Sequence, residues 1–304
     1  MGRWTTLNAD PRQEWEGVLW YHRQPLQMVN SFSSPCREET TMPQWLSRTF
    51  YRCQPGSPVL CLLHAFPVNS AMWEPQLAYF AGSRVSLVAL DYPGFGESTP
   101  FDFEPEIDHY ARRVADILNE LNVARVTLAG LSMGGYVALA CLRLYPERVN
   151  GLVLANTRAA ADSEATRQRR RELIEEIRST GSLDALIAFH LKQFFTPDTQ
   201  ANRPELVTQV AKMMASATPQ GVIHALQAMA GRPDSTELLK QCSIPVLVLT
   251  GQADPLIPVD EASAMAALAP NGRLRVLPDC AHLSNLEQPD RFNSELQAFL
   301  SEIW

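Results

Sequence analysis

From residue 44 onward, apolar residues gather into short continuous runs rather than alternating with polar ones. Val59-Leu60-Cys61-Leu62-Leu63, Val85 to Leu90, Val126 to Ala129, Val149 to Ala155, Ile244 to Thr250 and Leu274 to Leu277 each read as a strand. A run without polar alternation belongs to a strand covered on both faces, as in a parallel sheet. Leu46 to Cys53 predicts an earlier strand, closed by the turn residues Gln54-Pro55-Gly56-Ser57. Most intervals between the runs carry helical spacing, Tyr136 to Tyr145 among them. This alternation predicts an α/β fold with a doubly wound, mostly parallel sheet. Right-handed crossovers then place helices on both faces and collect the strand-to-helix loops at the carboxyl edge of the sheet, where sites form.

Two stretches break the alternation. Residues 1–42, punctuated by Pro11, Pro25 and Pro35 and followed by Pro43, hold no sustained period and read as an appendage. Residues 158–238 have helical spacing and no strand, which predicts an inserted helical cap between core segments 43–157 and 239–304. Within it, Pro204 opens a helix carrying Leu206, Val210 and Met213, and Pro219 opens one carrying Val222, Leu226 and Met229. Both triplets follow the i, i+4, i+7 rule of an amphipathic helix. Such a stripe packs against the body, yet the underside of a cap over a catalytic edge also meets substrate. Met213 and Met229, with Trp73, are therefore candidate pocket residues. Arg167, Arg169, Arg170 and Arg171 precede Glu172, Glu175 and Glu176, and the four-residue step from Arg171 to Glu175 predicts a solvated, self-paired helix face.

Composition narrows the class. The 304 residues are 46% hydrophobic and 19% charged, enough apolar material for one sizeable α/β domain with an insertion or for two ordinary domains. No apolar run approaches the ~20 residues of a membrane span. A net charge of −7 gives no electrostatic footprint for nucleic acid. Six scattered cysteines without a Cys-x-x-Cys pattern, and no secretory leader pattern, predict free thiols and a cytoplasmic protein. Met1-Gly2-Arg3-Trp4-Thr5-Thr6 fits a lipidation pattern as loosely as chance allows. No metal or cofactor is called for, and nothing in the chain signals an oligomeric state.

The chemistry centres on Gly130-Leu131-Ser132-Met133-Gly134-Gly135, which joins the strand ending at Ala129 to the helix beginning near Tyr136. A serine at such a corner projects its hydroxyl clear of the sheet, and the flanking Gly130 and Gly134 avoid clashes that a Cβ would make. A serine hydroxyl needs a base, and the base needs an orienting carboxylate. Asp254 follows the strand Ile244 to Thr250, and His282 follows Leu274 to Leu277. Serine, acid, histidine in that order, each after a strand, form a candidate catalytic triad. The developing oxyanion needs two backbone donors, one of them from the residue after the serine, Met133. The second is expected from His64-Ala65-Phe66-Pro67, at Phe66 N–H. His64 itself reads as a brace for that loop. Asp91-Tyr92-Pro93-Gly94-Phe95-Gly96-Glu97-Ser98 lacks the third glycine and the following helix of a dinucleotide loop, and reads as a structural turn.

These residues resemble the α/β-hydrolase superfamily over about residues 45–302, and within it the esterase and 3-oxoadipate enol-lactonase group. The resemblance implies an α/β-hydrolase sheet and hydrolysis of a small carboxylic ester or lactone through an acyl-enzyme, with Ser132, His282 and Asp254 as triad and Phe66 and Met133 as oxyanion donors. Carbon–carbon bond hydrolysis or perhydrolysis would use the same triad, and a ligand-sensing module the same fold. Ala65 stands where the family usually has glycine. Arg158, just after the strand Val149 to Ala155, is either a carboxylate contact in the pocket or an ion pair at the hinge of the cap.

Overall fold

The computed structural model describes residues 49–52 and 56–304, with side chains from residue 56 onward. The appendage expected over residues 1–42 and the ends of the strand expected over 46–53 lie outside the described residues. Strands β1 (Thr49–Arg52), β2 (Val59–Leu63), β3 (Ser86–Leu90), β4 (Val126–Leu131), β5 (Val149–Ala155), β6 (Val246–Gly251) and β7 (Gly272–Leu277) form one sheet in the order β1-β3-β2-β4-β5-β6-β7. β1 pairs antiparallel with β3, and the remaining six strands are parallel. β6 begins two residues later than the apolar run suggests, at Val246, because Pro245 has no N–H to give to a ladder. β7 begins earlier, at Gly272; as an edge strand it alternates exposure, so a continuous apolar run could mark only its end.

The helices are α1 (Glu74–Tyr79), α2 (Ile107–Glu120), α3 (Met133–Leu144), α4 (Glu164–Thr180), α5 (Asp184–Phe194), α6 (Pro197–Asn202), α7 (Pro204–Ala215), α8 (Pro219–Gly231), α9 (Thr236–Lys240), α10 (Val259–Leu268), α11 (Ser284–Glu287) and α12 (Pro289–Ile303). The alternating residues of each buried strand feed two cores. Cys61, Leu63 and Leu128 face α2, α3 and α8, through Val114, Val137 and Leu226. Leu60, Leu62 and Leu131 face the opposite layer of Leu77, Leu296 and Phe299. The chain winds from β2 to β3 in one direction and from β4 through β7 in the other, so β2 and β4 flank the switch point and Leu63 lies opposite Gly130. Loops leaving these strands at the carboxyl edge must therefore sit side by side.

Between β5 and β6 run α4 to α9, with no strand among the described residues. The stripes Leu206, Val210, Met213 and Val222, Leu226, Met229 are all buried. The arginine face differs in detail from the sequence expectation. Arg171 pairs with Glu164 instead of Glu175, Arg178 takes Glu175, and Arg170 leaves the face to reach Asp162 at 2.6 Å. Spacing alone cannot tell which arginine on a helix turns inward. Among the described residues no helix is long and apolar enough to cross a membrane.

Candidate active site

Ser132 occupies the corner between β4 and α3 with φ 56° and ψ −115°, a conformation costing a non-glycine residue about 1–3 kcal/mol. Its surroundings hold it there. Ser132 N–H donates to Ala155 O at 2.9 Å, and Ser132 O accepts from Thr157 Oγ1 at 2.7 Å. The glycines answer to contact: a Cβ at Gly130 would stand 2.1 Å from Gly134 O, one at Gly134 2.0 Å from Leu63 O, and one at Gly135 2.4 Å from the Thr157 side chain. The corner is thus pressed against the end of β2, and the serine side chain remains half-buried.

β5 lies between β4 and β6, so the residue just after it falls between the loops that carry Ser132 and Asp254. That residue is Asn156, held at φ 45°. Its Nδ2 donates to Asp254 Oδ2 at 2.8 Å and to Ala281 O at 3.2 Å, while its Oδ1 accepts from Ser284 Oγ at 2.5 Å. Asp254 Oδ2 also accepts from His282 Nδ1 at 2.8 Å, and Oδ1 accepts from the amides of Leu256 and Ile257 at 2.8 and 3.1 Å. Burial raises the Asp254 carboxyl, but the imidazole and these hydrogen bonds outweigh it and hold the group below the usual carboxylate range. A carboxylate can only accept, so Nδ1 of His282 carries the proton and Nε2 is left as the basic nitrogen. His282 is buried, with the ring of Phe194 stacked on it at 5.5 Å and 19°.

The loop after β2, whose Leu63 and His64 carbonyls lie against Gly134 of the corner, carries Phe66, and the Phe66–Pro67 peptide bond is cis. Neither Phe66 N–H nor Met133 N–H finds an acceptor among the described residues, although both residues are buried. Ala65, where glycine is usual, does not take a positive φ, and its N–H reaches Met72 Sδ at 3.2 Å. His64 braces the loop. Its wholly buried ring accepts from Tyr92 N–H at Nε2 (3.0 Å) and so donates from Nδ1 to Ala65 O (2.8 Å). Both nitrogens are engaged, and burial lowers its pKa to about 4. In the Asp91–Ser98 turn, Gly94 and Gly96 have φ of 89° and 57°, and the Asp91 carboxylate accepts from Ser70 N–H at 2.7 Å. Gly94 meets Gly221 of α8 backbone to backbone, and its carbonyl accepts from Thr218 N–H at 2.9 Å.

Phe66, Ser132 with Met133, Asp254 and His282 follow the carboxyl ends of the parallel strands β2, β4, β6 and β7 of the one sheet. The expected pocket residues are packed into the two cores that border this edge, Met229 with Phe66 and Met133, and Trp73 and Met213 with Phe194. Trp73 is wholly buried against Phe292 at 5.9 Å in the core that also takes Met213, whereas Met229 belongs to the core across the sheet. The i, i+4, i+7 stripe is a packing stripe here. Arg158 is the hinge ion pair: Nε lies 3.1 Å from Glu261 Oε1 without hydrogen-bond alignment, and Nη2 donates to Leu256 O at 2.6 Å. No group of three His, Cys, Asp or Glu side chains among the described residues is arranged to hold a metal.

Two residues of this site escaped the sequence reading. Asn156 was signalled only by its place directly after a buried strand. Glu287, buried on α11, accepts from Ala281 N–H at 2.5 Å with Oε2, and from Thr196 N–H at 2.8 Å and Thr196 Oγ1 at 3.0 Å with Oε1. It ties the residue before His282 to the helical insertion.

The fold is that of a known family. Residues 58–289 match the model of the alpha/beta hydrolase fold, and the chain belongs to that family. Among its relatives is 3-oxoadipate enol-lactonase 2 of Acinetobacter baylyi, 29% identical over 250 residues that cover 82% of this chain and 91% of that protein. A 2-hydroxy-6-oxononadienedioate/2-hydroxy-6-oxononatrienedioate hydrolase of Burkholderia vietnamiensis is 28% identical over 254 residues, covering 81% and 88%. A thermophilic esterase from Thermogutta terrifontis, solved with malate bound, superposes with a TM-score of 0.79 at 35% identity, over 84% of this chain and 94% of that one.

Proposed function

We propose that the protein is a serine hydrolase that cleaves a small carboxylic ester or lactone through an acyl-enzyme. The observation carrying this reading is the buried Asp254–His282 hydrogen bond of 2.8 Å at the sheet edge where Ser132 stands on its strained corner. Ser132 Oγ attacks the carbonyl carbon as its proton passes to His282 Nε2. Asp254 stays ionised throughout and stabilises the imidazolium. The carbonyl oxygen, now an alkoxide, takes hydrogen bonds from Phe66 and Met133 N–H. Collapse breaks the bond to the alcohol or enol oxygen, which leaves with the His282 proton. Water then adds to the acyl-enzyme by the same route, and the acid departs as Ser132 regains its proton.

The similarity to an enol-lactonase and an esterase supports oxygen–acyl cleavage. Residues 158–238 serve as the cap that shapes the site from above, on a core of 43–157 and 239–304. An ester and lactone panel of varied acyl length tests this, with β-diketones as the carbon–carbon arm. Turnover of esters or lactones, reduced at least about 1,000-fold in Ser132→Ala, is expected. Turnover confined to β-diketones, or ester turnover unchanged in Ser132→Ala, contradicts it.

A further inference from the structure

The proposed mechanism leaves one imidazole beside the site unused. His190, on α5 of the insertion, has Nδ1 2.9 Å from Leu186 O. A carbonyl only accepts, so Nδ1 carries the proton and Nε2 presents a bare lone pair. That nitrogen has no partner among the described residues, and the residue keeps part of its surface open. The ring stands edge-on to Phe66 at 5.6 Å and to Phe194 at 5.2 Å, and Phe194 in turn covers His282. His190 therefore lies between the oxyanion loop and the aromatic cover of the base. Burial, with His282 and Arg170 nearby, lowers its pKa to about 4, against the pull of the Leu186 hydrogen bond, so at neutral pH it can accept but not donate at Nε2.

Once a substrate displaces water, the Nε2 lone pair goes unmet unless the substrate supplies a donor. We propose that His190 Nε2 determines specificity by accepting a hydrogen bond from a hydroxyl or N–H on the bound ester or lactone. This inference rests on the reading of Ser132 as nucleophile. It also implies that a carboxylate at the same place is disfavoured, since lone pair would face lone pair.

The test uses two matched pairs, p-nitrophenyl 3-hydroxybutyrate against butyrate for the acyl side, and 2-hydroxyethyl butyrate against propyl butyrate for the alcohol side. In at least one pair the wild type should favour the hydroxylated ester in kcat/KM by about tenfold, the scale of one hydrogen bond. His190→Phe should bring that ratio to about one. His190→Gln, whose carboxamide oxygen can stand near the Nε2 position, should keep part of it. Wild-type ratios near one in both pairs, or a preference that survives in His190→Phe, overturn the proposal. Labelling of Ser132 by a fluorophosphonate separates the two levels: a wild type that labels and hydrolyses esters without a hydroxyl preference sinks only the role of His190. Wild type that does not label sinks the nucleophile reading beneath it. If the phenylalanine variant fails to fold, the wild-type ratios and His190→Gln decide.

Discussion

On one flank of the insertion, α4 and α8 are fastened by buried ion pairs; on the other, the α5–α6 corner is fastened by hydrogen bonds with backbone groups, those of one guanidinium and one carboxylate among them. In the first, Asp162 receives Arg232 at 2.6 Å and Arg170 at 2.6 Å, and the Arg232 guanidinium lies 3.9 Å over the ring of Tyr136 on α3, four residues past the nucleophile. One carboxylate faces two guanidiniums, and the aromatic face takes part of the excess charge. In the second, Leu283 N–H donates to Phe194 O at 3.1 Å, Arg203 donates to the carbonyls of Leu286 and Glu287, and Glu287 bridges Thr196 to Ala281. One flank is thus anchored to the helix that follows Ser132 and the other to the loop that carries His282.

The comparison can be broken from the charged flank first. Asp162→Ala leaves two guanidiniums without their buried partner, and a loss of about 3–5 kcal/mol is expected in urea unfolding. A loss under 1 kcal/mol would remove the charged flank as an anchor. On the other flank, Glu287→Gln turns one of its acceptors into a donor facing an N–H, which costs about 1–3 kcal/mol. Because that carboxylate positions the residue before His282, kcat should fall along with stability; stability loss with kcat intact would separate the anchor from the site. Arg158→Ala gives the smallest effect, about 1 kcal/mol or less, because the pair with Glu261 is partly solvated. Anionic and neutral esters should lose activity equally in that variant, and selective loss for anionic esters would restore Arg158 to the pocket.

Acid sharpens the same contrast. Asp162 would be raised by burial, yet Arg170 and Arg232 hold it below the ordinary carboxylate range, and Asp254 is likewise depressed by His282 and its hydrogen bonds despite its burial. A depressed folded-state pKa means stability that is present above the unfolded value of ~3.9 and lost as pH falls through the folded one. Stability should therefore fall as pH drops below about 4, and Asp162→Ala should flatten that decline.

The parts of this molecule legible in the sequence are those that strands place. Ser132, Asp254 and His282 each follow a strand that an apolar run marks, so their position at one sheet edge follows from the alternation of elements. The parts that were not legible depend on partners far along the chain. Asn156 meets Asp254 across 98 residues, Glu287 meets Thr196 across 91, and Arg232 meets Asp162 across 70. No local spacing encodes these. Met213 and Met229 show the converse: a helical stripe states that a face is covered and leaves open by what, and the two stripes went to cores on opposite faces of the sheet. His190 carried no motif, and it gains meaning only from Phe66 and Phe194 around it.

The most direct test of the account is covalent. Incubation with a fluorophosphonate and peptide mapping should place one adduct on Ser132, absent in Ser132→Ala and strongly slowed in His282→Ala, because the hydroxyl reacts only when the imidazole takes its proton. A folded protein that takes no label, or an adduct mapped to another residue, would contradict the assignment of Ser132 as the nucleophile.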